Sequence, residues 1–385
     1  MIKVDYTNAR PLDVHRWSDY SEVNIFVNEI YNDLKSIKGN EAISKKLVKV
    51  ILLDLYVAWC ADHSLMLMFS RDNNAYKAKS RYNELHIGKK IIGIVDALVK
   101  DGVIGQKKGF KDRISGIGFQ SRLWATNKLK AHFETVKFSQ FVITRNEDWD
   151  PIILRDKDKK NKEYDDTVET NRMRSVLLDY IKILENTHID IYDLDTPVLT
   201  VGTKKRTMRL QINQQDKLVR RVFNNLRWDQ GGRFYGGWWQ RCPKDYRKKI
   251  KMDGIMTAEV DFSGLHIVLL YAKEGINYWA EVNEDPYQLH GINDIDPDIN
   301  IRAAAKLLLL TAINSDDRKK TFQAFRAQSK AGTPEKKMTN EQLASMLAAL
   351  SNKHAPIAHQ LASGAGIDLM YVDSRITEKL IEKFT

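Results

Sequence analysis

Apolar side chains recur about every three to four positions over residues 21–34 and 42–69, the spacing of helices with a buried face, so residues 1–80 read as a helical layer. Asp54, Asp62 and His63 interrupt the longest apolar stretch, 51–69, which therefore reads as a buried helix and not as a membrane span. The same spacing returns over 89–100 behind the basic start Lys89-Lys90, and Asp101-Gly102 ends it. Residues 103–106 and 121–126 read as short strands with a Gly- and Lys-rich loop between them. Beyond these, 141–144 and 151–154 read as strands, 173–185 as an amphipathic helix, 190–201 as an extended stretch, and 215–225 as a helix carrying Arg220-Arg221 near its end. Residues 258–261 alternate apolar and acidic positions and predict a strand that ends on Asp261. Ser263-Gly264 then turns the chain into a helix over 265–272. A further helical run opens at Arg302-Ala303-Ala304-Ala305-Lys306.

These elements predict an α/β (α+β) protein of several parts. Helix, strand, basic loop and returning strand over residues 81–154 resemble a winged helix-turn-helix, whose nucleic-acid contacts here would include Lys89 and Lys90. A scaffold that touches no nucleic acid would use the same elements. Residues 155–170 are dominated by charge, Asn and Thr, and read as an exposed linker that separates this module from residues 171–385.

Composition narrows the setting. With 43% hydrophobic and 29% charged residues the chain is ordinary for a soluble globular protein, and 385 residues allow two or three cores. Cys60 and Cys242 are too few for a disulfide framework or a structural zinc site, and no secretory signal opens the chain, which points to the cytoplasm. The net charge of +11 is uneven: residues 203–251 hold fifteen Lys and Arg against Asp216, Asp229 and Asp245, a net of +12 that accounts for the whole excess. One sign dominates and aromatics are interleaved, which suits a phosphate backbone; a solvated basic face is the plainer account.

In that segment Arg220, Arg221, Arg247, Lys248 and Lys249 are candidate phosphate contacts. Gly231-Gly232-Arg233-Phe234-Tyr235-Gly236-Gly237 offers backbone that a ligand can approach closely, with Arg233 between glycines and aromatics, while Trp238 and Trp239 offer flat faces to bases. A tight turn buried under aromatics is the alternative. Asp261 is a candidate metal ligand or, equally, a cap of the following helix. Arg302 and Lys306 share one helix face, where two cations would neutralise phosphate oxygens or simply be solvated. His354 and His359 are five apart, off the one-turn spacing of a zinc pair.

In their order these pieces resemble the polymerase region of family A DNA polymerases of plasmid or phage type, and more loosely that of single-subunit RNA polymerases, over roughly residues 217–385. Gly232-Arg233, with Pro243 and the run 247–250, is similar to the Thr-Gly-Arg element and the stretch leading into motif A. Asp261-Phe262-Ser263 matches motif A, and Arg302 with Lys306 matches the Arg-x-x-x-Lys of the fingers helix. The resemblance implies a palm with helical fingers and template-directed nucleotidyl transfer by a two-metal mechanism using Mg²⁺ or Mn²⁺. Asp261 and the Phe262 carbonyl would be metal ligands, Arg302 and Lys306 would hold the incoming nucleoside triphosphate, and Arg233 the primer end. Nucleic acid would be the partner, DNA first and RNA as the alternative, with no membrane. His266 stands where the family has its sugar-discriminating Glu, and Asn314 where it has the fingers Tyr. No His-Asp turn of motif C is found. Asp373-Ser374 is the one candidate for the second carboxylate, yet Ile376, Leu380, Ile381 and Phe384 follow at helical spacing, so Asp373 reads as a helix cap. The missing carboxylate is therefore expected from a second chain or a downstream segment. The rival reading is a non-catalytic nucleic-acid-binding replication protein.

Overall fold

The computed structural model describes residues 5–111, 113, 116, 118–145, 148–203, 206–292 and 295–385. They fall into two compact units that interleave along the chain. Unit 1 takes the residues up to 153 with 163–220 and 235–258; unit 2 takes 154–162, 221–234 and 259–385. One crossing between them, at 162/163, falls inside the predicted linker.

In unit 1 the predicted helical layer forms as α1 (Ser21–Asn32) and α2 (Glu41–Ala61). Val48, Val50, Ile51, Leu52, Leu53 and Val57 are fully buried although they point all round α2, so this helix is wrapped on every side and forms the axis of the core. Asp54, fully buried in it, is compensated by Arg10 Nη2 and Arg16 Nε, each at 2.6 Å, and accepts the Asp13 N–H at 2.8 Å. Around α2 lies a four-stranded sheet. Its strands are β1 (Ala9–Pro11), β2 (Met66–Phe69), β3 (Ile104–Lys107) and β4 (Ser121–Ala125), in the order β1-β2-β4-β3. Only β1 and β2 run parallel; Leu123 lies opposite Leu67 on one side and Gln106 on the other. Helix α3 (Ile91–Lys100) precedes β3, and α4 (Asn127–Thr135) follows β4. Helix α5 (Val168–Asn186) opens on a capping box between Thr167 and Thr170. No helix among the described residues is long and apolar enough to cross a membrane.

Four expectations need correction in this region. The helix predicted over 42–69 stops at Ala61, because the Asp62 carboxylate takes the Ser64 N–H (2.8 Å) and hydroxyl (2.7 Å) into a turn, and Met66–Phe69 then joins the sheet. An apolar run of this kind satisfies either period. Residues 140–142 are a 3-10 turn, and only Thr144–Arg145 pairs as a strand, with Arg16–Trp17. The extended stretch 190–201 is broken by turns between Ile189–Asp190 and the hairpin strand Val198–Thr203. The unit 1 part of the predicted linker is fastened: the Arg81 guanidinium lies 3.5 Å over the Tyr164 ring and pairs with Asp150 and Asp166 at 2.8 Å.

Short strands β5 (Ile152–Leu154), β6 (Val219–Phe223) and β7 (Gly231–Gly236) lie in the order β7-β6-β5. The predicted helix 215–225 is thus the strand β6. In the structure Arg221 is fully buried, and Val219, Val222 and Phe223 are residues that suit a sheet. The helices of unit 2 are α6 (Leu265–Lys273), α7 (Ile301–Ile313), α8 (Arg318–Gln328), α9 (Asn340–Lys353) and α10 (Gly366–Phe384). Ile267, Leu270, Leu308, Leu309, Phe325, Leu343, Leu350 and Leu369 form their common core. The predicted strand 258–261 is not one: these residues have no regular structure and are exposed, Val260 by 87%. Alternation alone makes no strand without a neighbouring edge to pair with. Asp373 caps nothing, since it lies within α10, which begins at Gly366.

Candidate functional site

The two predicted cations meet on the exposed side of α7. Asn300 caps this helix by accepting the Ala303 N–H at 3.0 Å, and Ala304, Ala305, Leu308, Leu309 and Ala312 bury its other side. Arg302 and Lys306 therefore project together, and both lie over one ring: the Arg302 guanidinium is 5.6 Å and Lys306 Nζ 5.4 Å from the centre of Tyr287. Arg302 Nε donates to Asp285 Oδ2 at 2.6 Å, while Asp285 Oδ1 accepts the Tyr287 N–H at 2.8 Å. Desolvation raises the Asp285 carboxyl, but the Arg302 and Tyr287 hydrogen bonds outweigh it and hold the group below the usual carboxylate range. The Tyr287 phenol is pushed up, chiefly by burial, with Arg302 opposing and the Asp285 and Asp261 carboxylates adding.

Asp261 lies in the exposed turn leading into α6. Gly264 makes that turn with φ of +62°, a region that L side chains rarely adopt, and a Cβ there would come within 3.2 Å of Pro286. The turn holding Asp261 and the turn holding Asp285 and Tyr287 are neighbours for that reason. Buried His354 steadies the second: its ring nitrogens engage the Pro286 carbonyl at 2.8 Å and the Tyr271 hydroxyl at 3.1 Å.

A second cluster is built on Arg233. Its Nη2 and Nε reach Asp373 Oδ2 at 2.7 and 2.9 Å, and Nη2 lies 3.3 Å from His266 Nε2. A guanidinium only donates, so His266 Nε2 accepts and the ring proton sits on Nδ1. Burial, then the Arg233 charge, push His266 below its ordinary value against the opposing pull of Asp373. It is neutral at pH 7. The predicted helix cap, Asp373, is thereby a partner of the predicted primer-end arginine. Helix α10 is fixed in place by the buried pair of Arg221 Nη1 and Glu378 Oε1 at 2.6 Å.

The chain matches no protein-family model, no curated protein and no solved structure. Its site is read from its own geometry.

Several predicted nucleic-acid contacts stand elsewhere than expected. Trp238 is fully buried and offers no face to a base, and half-buried Trp239 packs edge-on against it. Arg221 is committed to Glu378. Arg220 lies beside the Trp149 ring at 5.5 Å, and Arg247 is half-buried. Lys248 and Lys249 are exposed, the latter 3.7 Å from Asp193, and Lys89 and Lys90 are exposed just before α3. Lys204 and Lys205, counted in the basic segment, lie outside the described residues. The glycines around Arg233 serve the protein's own packing: a Cβ on Gly232 would meet Ser374 Oγ at 2.7 Å, and one on Gly236 would meet the Leu218 carbonyl at 1.9 Å.

No group of three or more metal-ligating side chains occurs among the described residues. The donors at hand are the exposed Asp261 carboxylate and the Phe262 carbonyl. Hard oxygen donors of this kind suit a largely hydrated Mg²⁺ or Mn²⁺ bridged to phosphate. Asp285 and Tyr287 escaped the sequence reading. Their one signal there is an acid and an aromatic flanking Pro286, and nothing in the order of residues ties that turn to Arg302, seventeen positions on.

Proposed function

We propose that unit 2 binds a nucleoside triphosphate and transfers its nucleotidyl group to nucleic acid, as a protein of the cytoplasm. The observation that carries this reading is the convergence of Arg302 and Lys306 on the Tyr287 ring, in a turn whose Pro286 is approached by Gly264, three residues after Asp261. The two cations take phosphate oxygens, and Asp261 with the Phe262 carbonyl faces the metal. Mg²⁺, when bound, supplies charge neutralisation for the attacking and leaving oxygens. Arg233, oriented by Asp373, faces the primer end; neutral His266 stands beside it, toward the sugar. A winged-helix module in unit 1 is supported by the strand order β2-β4-β3 together with α3, and Lys89 and Lys90 give it exposed basic positions.

Triphosphate binding and primer extension test the reading. Arg302→Ala and Lys306→Ala are each expected to weaken triphosphate binding about tenfold or more, the loss typical of a charge-assisted hydrogen bond, and Asp261→Asn to remove extension. Unchanged binding in both cation variants would refute it. The unformed strand at 258–261 favours a second reading, a nucleic-acid-binding protein without catalysis. Nucleic-acid binding with no extension on any primer, template or nucleotide type would select that one.

A further inference from the structure

We propose that unit 1 has a phosphate site of its own: the cleft walled by Arg16, Arg145 and Lys217 binds the phosphate of a phosphate ester, carried by a free nucleotide or by a nucleic-acid strand.

The backbone brings the first two cations together. Arg16–Trp17 and Thr144–Arg145 pair antiparallel, so that Arg16 stands directly opposite Arg145. Like charges in that position repel. Asp54 answers Arg16 Nε at 2.6 Å and Asp13 answers Arg145 Nη2 at 2.6 Å, but Asp54 is also held by Arg10 at 2.6 Å. Two carboxylates thus serve three guanidinium groups. Lys217 adds a further cation in the wall of the same cavity, of about 420 Å³, where Glu185 is the one carboxylate among the lining residues. Burial pushes the Glu185 carboxyl up, while the charges of Lys217 and Arg145 pull it down, so all three groups lie within electrostatic reach of one another.

Both newly met cations have donors to spare. Arg145 Nε and Nη1 are buried and have no hydrogen-bond partner, an arrangement that costs free energy. The guanidinium is tied by hydrogen bonds to Asp13 alone, through Nη2, and is free to turn the other two nitrogens toward the cleft. Lys217, only 5% exposed, donates to the Glu185 and Thr187 carbonyls at 3.1 and 2.7 Å, where it caps the end of α5. Capping takes two of its three protons, and no carboxylate among the described residues lies within ion-pair distance. An oxyanion in the cleft supplies acceptors for the guanidinium and a countercharge for the buried ammonium, and phosphate offers several oxygens to do both at once. Thr144 and Arg145 also border a second cavity of about 550 Å³, flanked by Trp17 and Tyr20, which gives the organic part of the ester room beside aromatic rings.

The test is calorimetric binding of two probes, AMP and a short oligothymidylate without a terminal phosphate, to the full chain. Every protein carries Arg302→Ala and Lys306→Ala, so that the cations of α7 do not contribute, and circular dichroism controls for folding. In this background at least one probe is expected to bind; AMP alone identifies a nucleotide phosphate as the ligand, and the oligothymidylate a strand phosphate. Adding Lys217→Gln is expected to weaken that binding about tenfold, the loss of one charge-assisted contact. Thr144 is exposed, so Thr144→Phe fills the cleft without touching a charge or the interior, and is expected to abolish binding. Binding of neither probe, or an affinity that Thr144→Phe leaves unmoved, overturns the proposal.

Discussion

Among single residues the sharpest contrast is between Arg221 and Arg302, two arginines that the sequence presents alike. Arg221 is sealed against Glu378 with both side chains almost fully buried, whereas Arg302 holds an exposed carboxylate. Breaking a buried pair strands a charge in a poor solvent, so Glu378→Ala is expected to lower stability by about 3–5 kcal/mol, while Asp285→Asn changes it by less than about 1 kcal/mol. Urea unfolding of the two variants measures the difference. His354 gives a pH prediction. Burial holds its imidazole below the ordinary value, so the unfolded chain takes up the proton first as pH falls. The stability this residue contributes is present above about pH 6.5 and lost as pH drops below that point. His354→Gln, which keeps a donor and an acceptor, should show a shallower decline of stability between about pH 6.5 and 5. An identical slope would remove the assignment.

At the scale of elements, local pattern located α1, α3, α6 and the start of α7 closely, whereas α5 starts at Val168, inside the stretch read as a linker and five residues before the predicted 173. It failed where another interaction competed. The Asp62 and Ser64 side chains end α2, residues 219–223 pair in a sheet as β6 with Arg221 buried against Glu378, and 258–261 has the alternation of a strand but no ladder. Glycines separate backbone strain from crowding. Gly254 has φ of +82° and open space around it, whereas Gly232 has φ of +74° with Ser374 Oγ and the Phe223 ring inside 3 Å of a Cβ. Gly254→Ala should cost about 1–2 kcal/mol, the left-handed penalty by itself. Gly232→Ala should cost at least about 1 kcal/mol more, because a well-packed neighbourhood must also shift. Thermal or urea unfolding of the pair checks this, and equal losses would mean that α10 yields freely at Ser374.

For the molecule as a whole, the basic count overstates the surface offered to nucleic acid. Part of the +12 of residues 203–251 is spent internally, on Glu378 by Arg221 and on Asp373 by Arg233. The proposed duplex-binding residues of unit 1 include Lys89 and Lys90, and removing each cation that neutralises a phosphate should flatten the dependence of log affinity on log salt by about 0.9. Wild type is expected to show a slope steeper than about 3, and Lys89→Ala/Lys90→Ala a slope shallower by up to about 1.8. A slope unmoved by the double variant would assign these lysines to a solvated face. By itself the sequence determined the position of α1, α3, α6 and the start of α7, a mixed α/β class, the concentration of charge, and the candidates Asp261, Arg302 and Lys306, all of which depend on local spacing and residue chemistry. The tertiary structure alone decided that the chain interleaves two units, that Trp238 and Arg221 are interior, that Asp373 serves Arg233, and that the Asp285–Tyr287 turn lies against the cations of α7. The physical reason is that burial and charge pairing are properties of neighbours in space, and residues distant along the chain, such as 221 and 378 or 233 and 373, have no shared period through which the sequence could announce their pairing.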